Sequence, residues 1–328
     1  MSISKIEIKN FTVFKDISIG LSDRVNVFVG ENGTGKTHLL KVLYAANILH
    51  SEGHIVGIKD LFGGGPSFVK GCDFNINNLI TPWSRTFKAD FRSGKIELAH
   101  PEAEILIEAN SKGTSLFIPA KDMLTHSKGL LAMAKKHSKE MPFDRTLLDI
   151  IEKASQWKVD DIPEIAKNLV PFLEREMGGK VRYENDTFHI EKHNGEMVDF
   201  AREAEGVKKL GLLWQLLMNE NIKKGSLLLW DEPEANINPK LIPDLVEILL
   251  ELSRNGVQIF LATHDYFLPK YIEVLAKEND EVAFHSLYTT ESEGVKCETQ
   301  SKFSFLEHNA IIDEKIRLYE TEIEAVTQ

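Results

Sequence analysis

An α/β fold built on a mixed sheet is predicted by three stretches of this 328-residue chain. The first is Gly30-Glu31-Asn32-Gly33-Thr34-Gly35-Lys36-Thr37, which fits G-x-x-x-x-G-K-[ST] at every position. Val25, Val27, Phe28 and Val29 precede it as a buried strand, and Leu39, Leu40, Val42 and Leu43 follow at helical spacing. The second is the apolar run Leu227-Leu228-Leu229-Trp230, which ends in Asp231-Glu232. The third is the run 257–261, which ends in Ala262-Thr263-His264-Asp265. Short runs dominated by apolar residues mark buried strands, and the fully apolar 227–230 reads as a parallel strand covered on both faces.

Composition bounds the rest. Hydrophobic residues make up 42% and charged residues 27%, as in a globular protein. No apolar run reaches the roughly 20 residues that a membrane-spanning helix needs, so no membrane association is expected. The N-terminus starts directly on a strand-like alternation, without a signal peptide. Cys72 and Cys297 have no metal spacing and read as free thiols, which points to a cytoplasmic setting. A net charge of −11 argues against a broad nucleic-acid footprint and leaves room for a local basic patch.

Along the chain, Ile3, Ile6 and Ile8 alternate with polar neighbours, and 10–14 continues them as an antiparallel pair. Phe11 and Phe14 are candidates to stack on an adenine; the alternative is packing into the core. A helix is expected over 37–50, followed by an irregular stretch with Gly63-Gly64-Gly65-Pro66. Four short runs (86–92, 95–99, 103–109 and 114–118) predict a β-meander that extends the N-terminal sheet. Residues 120–177 are mostly helical, with breaks at Pro142 and near Asp160 to Pro163, and a hairpin follows over 180–192. Lys128, Lys135, Lys136 and Lys139 cluster in this region, either as a solvated face or as a contact for nucleic acid or a partner. A long helix is predicted over 202–223, another over 239–254, and strands near 281–289 and 294–300. The last helix, over 309–326, carries Ile312, Ile316, Tyr319, Ile323 and Val326 at 4-3-4-3 spacing, a stripe expected to dock against the body.

The chemistry sits at the ends of the three apolar runs. In the glycine-rich loop, backbone N–H groups of residues 30–37 point at phosphate oxygens, and the following helix adds its positive end. Lys36 can reach the β- and γ-phosphates of a nucleotide, and the Thr37 hydroxyl can hold Mg²⁺. Asp231 would hold the same Mg²⁺ through water, and Glu232 would polarise the attacking water. His264, at the end of the next strand, falls on the same sheet edge within reach of the γ-phosphate.

Taken together, these residues resemble the ABC-type ATPase heads, in particular the compact bacterial branch related to the structural-maintenance-of-chromosomes and recombination-repair ATPases. The resemblance covers 8–14 with the loop, 117–124, 204–213, 227–240 and 260–265. The run 230–239 is similar to small ATPases described as AAA-type ATP-binding proteins, many of which accompany anti-phage effectors. The resemblance implies a mixed sheet core, an N-terminal antiparallel β-subdomain and a helical insertion lobe, divided as 1–119, 120–200 and 201–328. It also implies a homodimer with two ATP molecules between facing heads, acting on a separate effector such as a nuclease or other toxin. The family's Ser-Gly-Gly core is matched by Ala204-Glu205-Gly206, where Gly206 backbone can still meet phosphate but the serine hydroxyl is missing. The usual glutamine beside the metal is absent, which makes Asp122 a candidate in its place, and Asn238 stands where an aspartate is usual.

An ATP-driven dimerisation switch is the primary expectation. A scaffold that binds ATP without turnover is one alternative, and the nucleotide-binding subunit of a transporter is another. The insertion lacks sustained heptads, so long coiled-coil arms are not expected. Direct DNA binding would run through 128–139 or Lys208-Lys209.

Overall fold

The computed structural model describes residues 2–52, 61, 87–90, 95–100, 103–109, 114–137 and 143–327. The Gly63–Pro66 stretch, Cys72 and Lys139 lie outside them. The chain opens with β1 (Ile3–Phe11) and β2 (Phe14–Gly20), paired antiparallel, then β3 (Val25–Gly30) and α1 (Lys36–Glu52). Next, β4 (Phe87–Asp90), β5 (Lys95–His100) and β6 (Ala103–Ala109) return to the edge of β1. They complete a five-stranded antiparallel sheet of order β2-β1-β6-β5-β4.

The fourth run of the expected meander goes elsewhere. β7 (Ser115–Ile118) leaves this sheet and pairs in parallel with a strand more than a hundred residues away. All four of its residues are buried, so it needs cover on both faces, which a meander edge does not provide.

The region after β7 holds α2 (Leu130–Lys136), α3 (Arg145–Ala154) and α4 (Leu169–Met177). The expected hairpin follows as β8 (Gly179–Glu184) and β9 (Thr187–Lys192), with β10 (Met197–Asp199) added on its edge. Asp144 caps α3 by accepting from Thr146 N at 3.0 Å, and the same carboxylate pairs with Lys41 of α1 at 2.7 Å. Tyr44 Oη donates to Asp149 at 3.0 Å. The helix behind the glycine loop is thereby tied to α3 at two points.

The C-terminal part supplies α5 (Glu205–Met218), β11 (Leu227–Asp231), α6 (Ile242–Arg254), β12 (Gln258–Ala262) and α7 (Phe267–Leu275). It ends with β13 (Val282–Thr290), β14 (Gly294–Gln300) and α8 (Ala310–Thr327). The central sheet has the order β14-β13-β3-β12-β11-β7, parallel except for β14.

Alternation along the strands divides the core in two. Val25, Val27, Val29, Leu228, Trp230, Ile259 and Leu261 face a core filled by the helices from α3 to α7. Phe28, Leu227, Leu229, Phe260 and Ala262 face a second core made by α1 and the N-terminal sheet. Strands buried on both faces are mostly apolar, and the polar residues they do carry, Asn26 and Gln258, are buried and hydrogen-bonded to Ser22 and Ile3.

The stripe on α8 does not dock as expected. Ile312 packs on the first core, but Ile316 is 53% exposed, Tyr319 64% and Val326 86%. Lys315 lies over the Tyr266 ring, and Ile316, Tyr319 and Ile323 line an open groove beside Tyr266 and Lys270 without being covered. Among the described residues, no helix is long and apolar enough to cross a membrane.

Candidate nucleotide and hydrolysis site

The glycine loop connects β3 to α1, and its shape depends on two glycines. Gly30 has φ +143°, and a Cβ there would lie 2.2 Å from the Leu287 carbonyl oxygen on β13. Gly35 has φ +91°, and a Cβ there would lie 2.6 Å from both Phe14 Cζ and Val13 Cγ2. Only a residue without a side chain fits either position. Gly33 also has positive φ. Glu31, Asn32 and Gly33 form the exposed crest of the loop, and Thr34 closes it by donating from Oγ1 to the Glu31 carbonyl at 2.9 Å.

Phe14 is therefore a support of the loop. It is 1% exposed and lies directly beneath Gly35, and Phe11 is buried as well. This corrects the expectation of an adenine platform: a ring sealed under the loop has no face left for a base.

Lys36 Nζ donates to the carbonyls of Gly30 at 2.6 Å and Glu31 at 2.9 Å. Burial pulls its ammonium below the usual lysine value, while Asp231, Glu232 and Glu234 pull in the opposite direction. Thr37 Oγ1 donates to Asp231 Oδ2 at 2.8 Å. Burial raises the Asp231 carboxyl, and the Thr37 bond opposes the rise. A hydroxyl and a carboxylate in contact at the start of a helix are hard oxygen donors, which suit Mg²⁺.

β12 lies between β3 and β11, so the residue that follows it emerges between the loop and Asp231. That places His264 Nδ1 3.2 Å from Glu232 Oε1, and both side chains are partly exposed. The Glu232 backbone is left-handed, with φ +48°, although its N–H still continues the ladder to Ala262 at 2.8 Å. A glutamate in this conformation costs about 1–3 kcal/mol and persists only where its surroundings hold it.

Two expectations need correction. The Asp122 carboxylate is engaged away from the metal pair. Its carboxylate accepts from Leu124 N at 2.9 Å and from the Thr125 hydroxyl, and it lies 3.7 Å from Lys208. These partners take up the oxygens a metal would need. Lys208 and Lys209 are not a surface for DNA, because both are buried. Lys208 pairs with Glu205 at 2.8 Å. Lys209, 8% exposed, donates to the carbonyls of Glu232 at 3.1 Å, Pro233 at 3.0 Å and Ala235 at 2.7 Å. Burial pulls its ammonium down to about 8. One signal of this was present in the sequence: Lys209 falls on the apolar stripe that contains Gly206 and Leu213, not on a polar face.

Ala204 is the exposed N-cap of α5 and offers no side-chain cap. Gly206 is buried at the start of the same helix, where a Cβ would come 3.3 Å from Leu241 Cδ1. Asn238 caps its own turn by accepting from Lys240 N at 3.0 Å.

The fold is similar to that of the SMC head solved in complex with the C-winged helix domain of ScpA, with a TM-score of 0.54 and 15% identity. That match covers 93% of this chain and 99% of the other. Among curated proteins, the DNA replication and repair protein RecF of Bacillus cytotoxicus is 43% identical over 52 residues, 16% of this chain and 14% of that protein. RecF of Proteus mirabilis is 23% identical over 216 residues, 52% of this chain. The chain thus spans about half the length of this longer match (57%) and a smaller part of the first. Residues 1–47 match the model of an AAA ATPase domain. Residues 77–268, more than half of the chain, match the model described as "AAA domain, putative AbiEii toxin, Type IV TA system". The chain belongs to this AAA-domain family, and its fold is that of an SMC head.

Proposed function

We propose that this protein binds ATP with Mg²⁺ and hydrolyses it, and that nucleotide drives two copies to pair through their ATP sites. One observation carries the reading: the Glu232–His264 contact of 3.2 Å shares a sheet edge with the Thr37–Asp231 contact of 2.8 Å. The first is a group able to orient water together with a polar partner for the γ-phosphate. The second is a pair able to hold a metal beside the same phosphate.

Lys36 would exchange its loop carbonyls for β- and γ-phosphate oxygens and hold their charge in a partly dry site. Mg²⁺, held by Thr37 and through Asp231, would draw charge from the phosphates. Glu232 would accept a hydrogen bond from the attacking water and align it, since phosphoryl transfer depends mainly on positioning and charge. His264, fixed through Nδ1, would turn its other ring nitrogen to the transferred group. In the pair, Gly206 N–H of one copy would face the γ-phosphate of the other. The Lys41–Asp144 and Tyr44–Asp149 contacts offer a route from the nucleotide helix to α3. A separate effector protein, such as a nuclease or other toxin, could read the change there.

Light scattering with and without ATP–Mg²⁺, run beside phosphate release, tests this. ATP should double the mass, and Glu232→Gln should hold the dimer while turnover falls roughly 10²–10⁴-fold. Unchanged turnover in that variant removes Glu232 from its role, and a mass that never responds removes the switch. Ala204 favours a second reading, a scaffold without turnover, because it has no hydroxyl to cap a partner's phosphate. Phosphate release at the level of Glu232→Gln in the wild type would support that reading.

A further inference from the structure

Glu234 lies three residues past Asp231, and neither the glycine loop nor the metal pair uses it. Its side chain is 8% exposed. One carboxyl oxygen accepts from Thr263 Oγ1, and the other has no hydrogen-bond partner among the described residues. Burial pushes the carboxyl up to about 7, with Asp265 raising it further and Lys209 opposing. An acid in such a place is a costly filler: an apolar side chain of similar volume would satisfy packing without the desolvation penalty. Packing alone therefore does not explain it.

Its partner gives the explanation. Thr263 is fully buried, and its Oγ1 also accepts from Asp265 N at 2.9 Å, while its own N–H donates to the Phe28 carbonyl at 2.9 Å. Asp265 in turn caps α7 through Phe267 N at 2.7 Å and Leu268 N at 3.0 Å. His264 thus sits between two anchored neighbours. At its other end, Glu234 belongs to the turn that begins at Glu232: Ala235 N donates to the Glu232 carbonyl and Ile237 N to the Glu234 carbonyl, each at 3.1 Å. Lys209 bonds carbonyls of this turn and does not reach across to β12. The Glu234 side chain does reach across.

We infer that Glu234 is a positioning residue for hydrolysis, which grips Thr263 and thereby sets the approach of His264 to Glu232. This rests on the reading of Glu232 and His264 as the hydrolytic pair.

The full chain is tested as Glu234→Ala, Thr263→Val, their double variant and Glu234→Gln, by steady-state phosphate release. Glu234→Ala and Thr263→Val should each lower kcat roughly 10–100-fold with KM for ATP changed less than about threefold. The double variant should lose no more than the worse single one, since both break one contact. Glu234→Gln keeps an acceptor for Thr263 and should recover kcat to within about fivefold of wild type. A kcat held within about twofold in Glu234→Ala, or a loss as deep in Gln as in Ala, overturns the inference. Amide exchange in nucleotide-free protein gives a readout independent of turnover. The Asp265 N–H should exchange faster in the Ala and Val variants and not in the Gln variant. Equal exchange in all of them overturns the anchoring. No phosphate release from wild type, with the exchange differences intact, sinks the hydrolytic reading and leaves the grip on Thr263 in place.

Discussion

Toward the glycine loop, the side chains turn outward: the crest 31–33 and His264 are exposed, and Thr37 is half-buried. Toward α5, the neighbours turn inward. Lys208 and Lys209 are buried in ion pairs and carbonyl bonds, and the exposed cap is an alanine. One side is equipped to bind and react within a single copy. The other, which a second copy would use, carries backbone and little side-chain chemistry. Under the proposed pairing, the contrast leaves binding to the residues of one copy and makes the contact between copies depend on helix geometry more than on hydroxyl groups.

The largest effect that would sharpen this contrast is expected at Lys209. Replacing it by methionine leaves three carbonyls of the 232–235 turn without their donor, and should cost roughly 2–4 kcal/mol in urea unfolding. It should slow turnover as the strained Glu232 relaxes. A loss below about 0.5 kcal/mol would show that the turn holds itself and that the inward face of α5 is incidental.

The next effect is in the pH dependence of stability. The Glu234 carboxyl is raised in the folded state, from 4.5 to about 7. The folded state therefore holds this proton more tightly than the unfolded chain. That contribution is complete below about pH 4.5 and is lost as pH rises through about 7. Glu234→Gln removes the titration, so its stability relative to wild type should improve from pH 5 to pH 8. A parallel pair of stability curves would contradict the burial argument.

The smallest effect is at Ala204. Serine there restores a hydroxyl for the facing phosphate and should tighten ATP-dependent association by about 1.5 kcal/mol, roughly tenfold. No gain would mean that α5 meets its partner through backbone alone, or that the faces do not meet.

The placing of the loop, Asp231-Glu232 and His264 on one edge was legible because each follows a strongly apolar strand, and parallel strands deliver their ends to one edge. β7 was equally continuous (Leu116, Phe117 and Ile118 are all buried) but was drawn into the meander by its neighbours in sequence. Its pairing with β11 is set by the sheet and not by proximity along the chain. The burial of Lys209 could be read from its place on the apolar stripe of α5, but its partners could not, because carbonyls have no sequence signature. Glu234 and Thr263 were hidden because their contact spans two strands. The α8 stripe was read correctly as apolar, but a stripe does not say whether the fold has anything to lay over it.

The near-collision at Gly30 has a wider consequence. The surface that forbids a side chain there is the Leu287 carbonyl, on a strand beyond the end of either matched family segment. The start of the loop is a bracket fastened to a wall built from the last quarter of the chain. Its motif residues carry the chemistry, but a distant and unremarkable strand sets their curvature. Two chains with identical motifs and different walls would grip phosphate differently.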